Sequence, residues 1–202
     1  MKGRSNMFSG NRLVVILPLI VVVFLTVLGG VYLLQADSVT NETLKEEVSW
    51  NIHTSKTGDI FSLEATWSWG HLPSDGVRGE DYIGVSLLDA NGHLIPAEQY
   101  EVYELEVNHE QQIREGELVG SGVLFSFPND LEENKVIGES GTVHIAIRSD
   151  ISPKRAIISY LHTWEHHDGL VSKDPRFFER EFQGIDKGNE SFFWVMERFE
   201  DF

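Results

Sequence analysis

An uncharged apolar run from Leu13 to Leu34, preceded by Lys2, Arg4 and Arg12, constrains this chain more than any other stretch. A helix rises about 1.5 Å per residue, so these roughly 22 residues reach about 33 Å, against a hydrocarbon core of about 30 Å. In lipid every backbone N–H and C=O must find a partner within the segment, and a lone run can do that only as a helix. Residues 13–34 therefore read as a transmembrane anchor. Basic residues are retained on the cytoplasmic side, which makes 1–12 a cytoplasmic N-terminus and puts everything after Gln35 outside. The run is longer than the apolar part of a cleaved secretory signal. Its end, Leu33-Leu34-Gln35-Ala36, also puts bulky Leu34 where cleavage needs a small residue. The expectation is a retained, single-pass anchor in the cell membrane. No ionisable side chain lies inside it, which excludes a buried proton relay, voltage sensor or ion path in that segment.

Charge divides along the same line. All 32 acidic residues lie beyond Ala36, whereas three of the 16 basic ones precede it, so the outer part carries 13 against 32, a net −19. Such a field repels nucleic acid and anionic head groups and favours basic or cationic partners. An envelope protein is the expected partner, nucleic acid is excluded, and weak divalent-cation binding by acidic loops is compatible with the charge. The chain has no cysteine. An exported domain without disulfides must be held by its core, and thiol chemistry is absent.

Residues 35–47 are polar and read as a stalk, after which period-two patterns begin. Val48, Trp50 and Ile52 point one way, and Phe61, Leu63, Ala65, Trp67 and Trp69 repeat the pattern against Ser62, Glu64, Thr66 and Ser68. Alternation recurs at Ile83–Leu87, Tyr103–Val107, Val123–Phe127, Val143–Ile147 and Ala156–Trp164. Turn signals such as Lys56-Thr57-Gly58-Asp59 and Asp89-Ala90-Asn91-Gly92 separate the runs. About seven short strands with one apolar face each predict an all-β domain over 48–202, an immunoglobulin-like β-sandwich. Its aromatic-rich C-terminal extension reads differently. Asp174-Pro175 has the form of an N-cap followed by proline at the first helical position, Phe178 and Phe182 share a helical face, and Gly184 can close it. A short C-terminal helix is predicted there, and the aromatic run 191–196 after it favours a final strand, with a helix carrying Phe192, Met196 and Phe199 on one side as the alternative. Phe192, Phe193, Trp194, Arg198 and Phe199 are the candidate partner-binding residues, because aromatic and arginine side chains supply most of the energy at protein interfaces.

Three motifs suggest chemistry. His162-Thr163-Trp164-Glu165-His166 has the H-x-x-E-H spelling of inverted zinc peptidases, where two histidines one helical turn apart bind zinc and the glutamate activates water. That spelling needs a helix, and the preceding Ile157-Ile158-Ser159-Tyr160-Leu161 alternates as a strand. Asp89-Ala90-Asn91-Gly92-His93 fails as a calcium loop, since glycine comes fourth rather than sixth, and reads as a hairpin turn. The acid pairs Glu46-Glu47, Glu80-Asp81 and Glu132-Glu133 are expected in so acidic a chain and carry no cleft signature. The leading expectation is a membrane-anchored, extracytoplasmic binding or scaffolding module without catalysis, cofactor or metal. The alternative is a membrane-tethered, metal-dependent hydrolase using His162 and His166 as ligands and Glu165 as base.

Overall fold

The computed structural model describes residues 12–36, 38–108, 112–132, 135–148, 152–185 and 192–202, and it divides into two compact units, Met1–Ser38 and Val39–Phe202. Among its described residues the first unit holds one helix, α1, Arg12–Ala36. Its 25 residues rise about 37 Å. Side chains are described from Ile16 to Tyr32, and the large apolar ones among them are exposed. Among the described residues no helix is long and apolar enough to cross a membrane.

The second unit is all β. Its strands are β1 (Val48–Thr57), β2 (Ile60–Trp69), β3 (Arg78–Leu88), β4 (Tyr100–Val107), β5 (Arg114–Glu115), β6 (Glu117–Val119), β7 (Gly122–Glu132), β8 (Lys135–Val136), β9 (Ser140–Arg148), β10 (Arg155–Thr163) and β11 (Phe193–Asp201). They form two antiparallel sheets, ordered β1-β2-β9-β4-β5 and β11-β10-β3-β7-β6, with β8 paired to the end of β7. The alternation anticipated in the sequence sets the faces. Leu63, Ala65 and Trp67 of β2 meet Ile83, Val85 and Leu87 of β3, Phe125 and Phe127 of β7, and Ile158 and Tyr160 of β10 in a single core. Each of these side chains is nearly or fully buried, and at about 25 cal/mol per Å² such burial is the main force holding a domain that has no disulfide.

Two expectations about organisation are corrected. The stalk over 35–47 does not extend that far, because the domain begins at Val39: Asn41 and Leu44 are buried, and a 3₁₀ turn at Leu44–Glu46 leads directly into β1. The C-terminal helix from Asp174 is not formed either. Residues 164–185 instead make a strap across the outer face of the second sheet, with Leu170 bridged to Phe182. Asp174 does cap, but it caps a turn: its carboxylate accepts the N–H groups of Arg176 and Phe178, and Phe177 takes a positive φ of 55°. That backbone turns the Phe177 ring inward, into a second small core with Tyr82, Leu124 and Leu161. A helix would leave Phe177 off the Phe178–Phe182 face; the tertiary site for its ring overrides the local pattern. Gly84 makes the close approach possible, since a Cβ there would overlap the backbone of Pro175. The final strand through Phe193 is formed as β11.

Candidate functional site

The inward face of β3 carries Ile83, Val85 and Leu87, and by the same period of two it also carries Asp81. The inward face of β10 carries Ala156, Ile158, Tyr160 and, continuing the period, His162. Because β10 and β3 are registered with Tyr160 opposite Ile83 and Leu161 opposite Tyr82, the next step brings His162 to Asp81. Both side chains are 0 % exposed. A buried charge of this kind is tolerated only when it is paired and its remaining lone pairs are filled.

They are filled here. His162 Nδ1 lies 2.9 Å from Asp81 Oδ2. The Tyr160 hydroxyl donates to the same oxygen at 2.6 Å, while the Thr163 backbone N–H and the Asn129 amide donate to Asp81 Oδ1. Asn129 Nδ2 also donates to the Thr163 carbonyl at 2.6 Å, so both of its hydrogens are committed. On the other side of the imidazole, Nε2 lies 3.0 Å from Asn41 Oδ1. The Asn41 amide is oriented by its own donation to the Gly76 carbonyl at 2.8 Å, which leaves its oxygen facing the ring as an acceptor. Both ring nitrogens therefore have polar partners supplied by the fold, Asp81 at Nδ1 and the Asn41 amide oxygen at Nε2. Burial, and then the Asp81 carboxylate, hold the Tyr160 hydroxyl protonated far above the ordinary tyrosine range, so it is no nucleophile. One buried atom of the cluster, Asn129 Oδ1, has no protein partner.

The structure separates the remaining candidates. Glu165 and His166 are exposed in the irregular segment after β10, and His162 and His166 do not share a helical face, so the arrangement on which the hydrolase reading depends is not formed. Among the described residues no group of three or more His, Cys, Asp or Glu could hold a metal ion. Of the expected partner-binding residues, Phe192 and Trp194 are core, 3 % and 8 % exposed, and the Trp194 indole N–H donates to the Asn41 carbonyl. Phe193 is half-buried under Arg180. Arg198 and Phe199 stand on the surface. Asn41, Asn129 and Tyr160 carry no catalytic or metal-binding motif, and Asp81 shows in the sequence only as half of the Glu80-Asp81 pair; the available signal is that Asp81 and His162 occupy inward positions of strands whose other inward positions are apolar.

A second polar cluster lies on the outer face of the same sheet. The Tyr82 hydroxyl donates to Glu80 at 2.7 Å and lies 3.0 Å from His167 Nε2, while His167 Nδ1 reaches the Glu165 carbonyl. It borders a polar hollow lined by Glu80, Arg114, Glu117, Ser126 and Lys173, in which Lys173 pairs with Glu117. Burial, reinforced by Glu80, pushes the Tyr82 hydroxyl well above its ordinary value.

No protein-family model matches the chain, and no curated protein matches it. Among solved structures, the chain is similar to the one described as "AvmM Catalyzes Macrocyclization in Alchivemycin A Biosynthesis", at 13 % identity and a TM-score of 0.36, covering 76 % of this chain and 87 % of that one. It is also similar to a DUF4466 family protein from Parabacteroides merdae ATCC 43184, at 12 % identity and a TM-score of 0.32, over 80 % of this chain and 44 % of the other.

Proposed function

We propose that the protein is a single-pass, membrane-anchored module that displays an acidic, non-catalytic β-sandwich on the extracytoplasmic side and acts there by binding or scaffolding. The observation that carries this reading is α1, whose side chains from Ile16 to Tyr32 expose leucine, isoleucine, valine and phenylalanine. An apolar surface of that extent needs lipid or protein around it. The described side chains cover about 25 Å of helix, a turn short of the hydrocarbon core, and the sequence adds Leu13, Val14, Val15, Leu33 and Leu34 at its ends. The basic residues before it favour an inside N-terminus.

The domain's part in the proposal is recognition. The buried pair of Asp81 and His162 is committed to the fold, and the net charge favours a basic region of an envelope protein, or weakly held divalent cations, over nucleic acid. Its architecture supports an immunoglobulin-like reading in part: β1-β2-β9 and β11-β10-β3 follow the A-B-E and G-F-C neighbours of that fold. The two flanking positions are exchanged, since β4 lies beside β9 and β7 beside β3. The test uses the full-length protein in its own cells. It is expected to stay with membranes through alkaline carbonate washing, and protease added to intact cells should digest the C-terminal domain. Release by carbonate would end the anchor proposal, and a protected domain would end the proposed orientation.

A further inference from the structure

We propose that the free edge of β11 is a homodimer interface, at which two copies of the chain pair antiparallel about Phe199 and join their second sheets. β11 is the terminal strand of its sheet, and among the described residues no strand pairs with its far side. Its register with β10 runs without interruption through nine residues, and it contains no proline, glycine or lysine, so its charged residues Glu197, Arg198, Glu200 and Asp201 decide what the edge can pair with. Hydrogen bonding fixes which groups point outward. Trp164 N–H bonds to the Phe192 carbonyl and Phe202 N–H to the Lys154 carbonyl, so even-numbered residues of β11 bond inward to β10. The odd ones, Phe193, Val195, Glu197, Phe199 and Asp201, turn their N–H and C=O groups to the free side.

Side-chain charges then select one register. Two copies related by a two-fold axis must place equivalent faces opposite one another, so the axis passes through a residue of β11. An axis at Glu197 opposes two carboxylates, and one at Arg198 opposes two guanidinium groups. An axis at Met196 puts Trp194 opposite Arg198 and Val195 opposite Glu197, which pairs no opposite charges. With the axis at Phe199, Arg198 faces Glu200 of the partner twice, in the non-hydrogen-bonded pairs where side chains approach closest. Met196 then faces Phe202. Glu197 faces Asp201, and each of these acids already has its own cation: Arg176 holds Glu197 at 2.8 and 3.1 Å, and Arg155 holds Asp201. Among the described residues Arg198 and Glu200 have no such partner within the chain. Phe199, 55 % exposed in the monomer, would stack on its own copy at the centre. The inference stands on β11 alone and does not rest on the membrane anchor.

The absence of cysteine makes the test direct. Facing residues in a hydrogen-bonded antiparallel pair have Cα atoms about 5.5 Å apart, within the disulfide range of about 4.4–6.8 Å. Full-length Phe199→Cys, purified in mild detergent and oxidised, is expected to become predominantly a disulfide-linked dimer, whereas Ser68→Cys, on the outer face of the other sheet, stays monomeric. Adding Arg198→Glu to Phe199→Cys is expected to slow cross-linking about tenfold, and adding Glu200→Arg as well should restore it, because the exchange recreates both cross-strand pairs. Equal cross-linking at Ser68→Cys, no restoration by the charge exchange, or a disulfide formed to a different protein would overturn the proposal.

Discussion

Asn41 and His162, 121 residues apart in sequence, are joined by a 3.0 Å contact between the amide oxygen and Nε2, and Asp81 grips the opposite nitrogen. The segment that enters the domain is thereby tied to the strand that ends in the H-x-x-E-H sequence. Replacing His162 by alanine leaves the buried Asp81 side chain without its imidazole partner and should cost about 3–5 kcal/mol. Asn41→Ala removes a neutral acceptor and the bond to Gly76 and should cost about 1–3 kcal/mol. Urea unfolding of the two variants measures both, and the order of the two losses checks the argument. A His162→Ala protein as stable as the parent would mean that the pair contributes nothing.

The strap offers a separate test. Gly84 sits beneath Pro175 with no room for a side chain, so Gly84→Ala must lift the strap or bend β3. Overpacking of this kind costs about 1–3 kcal/mol. The second small core, with Phe177 at its centre, should loosen before the main one. Limited proteolysis is expected to cut the variant within 164–185 faster than the parent, with the rest of the domain resistant. Equal cleavage rates would show that the strap is not seated by this glycine.

These two sites show what was and was not legible in the sequence. Alternation in β2 and β9 was visible because each inward row is apolar against a more polar outer row, whereas β3, β7 and β10 were legible from their inward rows alone, since Tyr82, Leu124 and Leu161 on the outer face are buried with Phe177. Asp89-Ala90-Asn91-Gly92 is the expected turn, with positive φ at Gly92 alone, and backbone N–H donation from His93 and then Asn91 lowers the Asp89 carboxyl below its usual range. Asp81 was hidden by its neighbour, because Glu80-Asp81 reads as a surface acid pair until the inward row Ile83, Val85, Leu87 is extended back by one step. The strap was hidden for another reason. Asp174-Pro175 supplies a true local signal for a helix start, but the competing fit of Pro175 over Gly84, 91 positions upstream, is a tertiary relation that no local pattern encodes.

Alkaline stability follows from the tyrosines. Tyr82, Tyr100 and Tyr160 are all raised by burial, Tyr82 with further help from Glu80 and Tyr160 with further help from Asp81. In the unfolded chain a tyrosine ionises near pH 10. Below that pH both states hold the phenolic proton and these groups leave stability unchanged with pH. Above it the unfolded state loses protons that the folded state keeps, so stability falls as pH rises. The urea midpoint is therefore expected to be flat from about pH 8 to 9 and to drop steadily above pH 10. Absorbance at long ultraviolet wavelengths should show these phenols ionising only together with unfolding. Their titration in the intact fold near pH 10 would contradict the buried hydrogen bonds.

The last prediction concerns α1. Val22 and Leu25 lie in the middle of the helix, both exposed, and in the proposed anchor both face lipid near the bilayer centre. An arginine at the centre of a membrane-inserted helix costs about 2.5–3.5 kcal/mol on insertion scales, and two on neighbouring turns cannot both snorkel to one interface without drawing the helix out of register. A Val22→Arg, Leu25→Arg double variant is expected to appear in the soluble fraction after carbonate treatment, while Gly84→Ala, which disturbs only the sandwich, remains with the membrane. If the double arginine variant is retained as firmly as the parent, the apolar surface of α1 is covered by protein rather than lipid, and the anchor proposal fails.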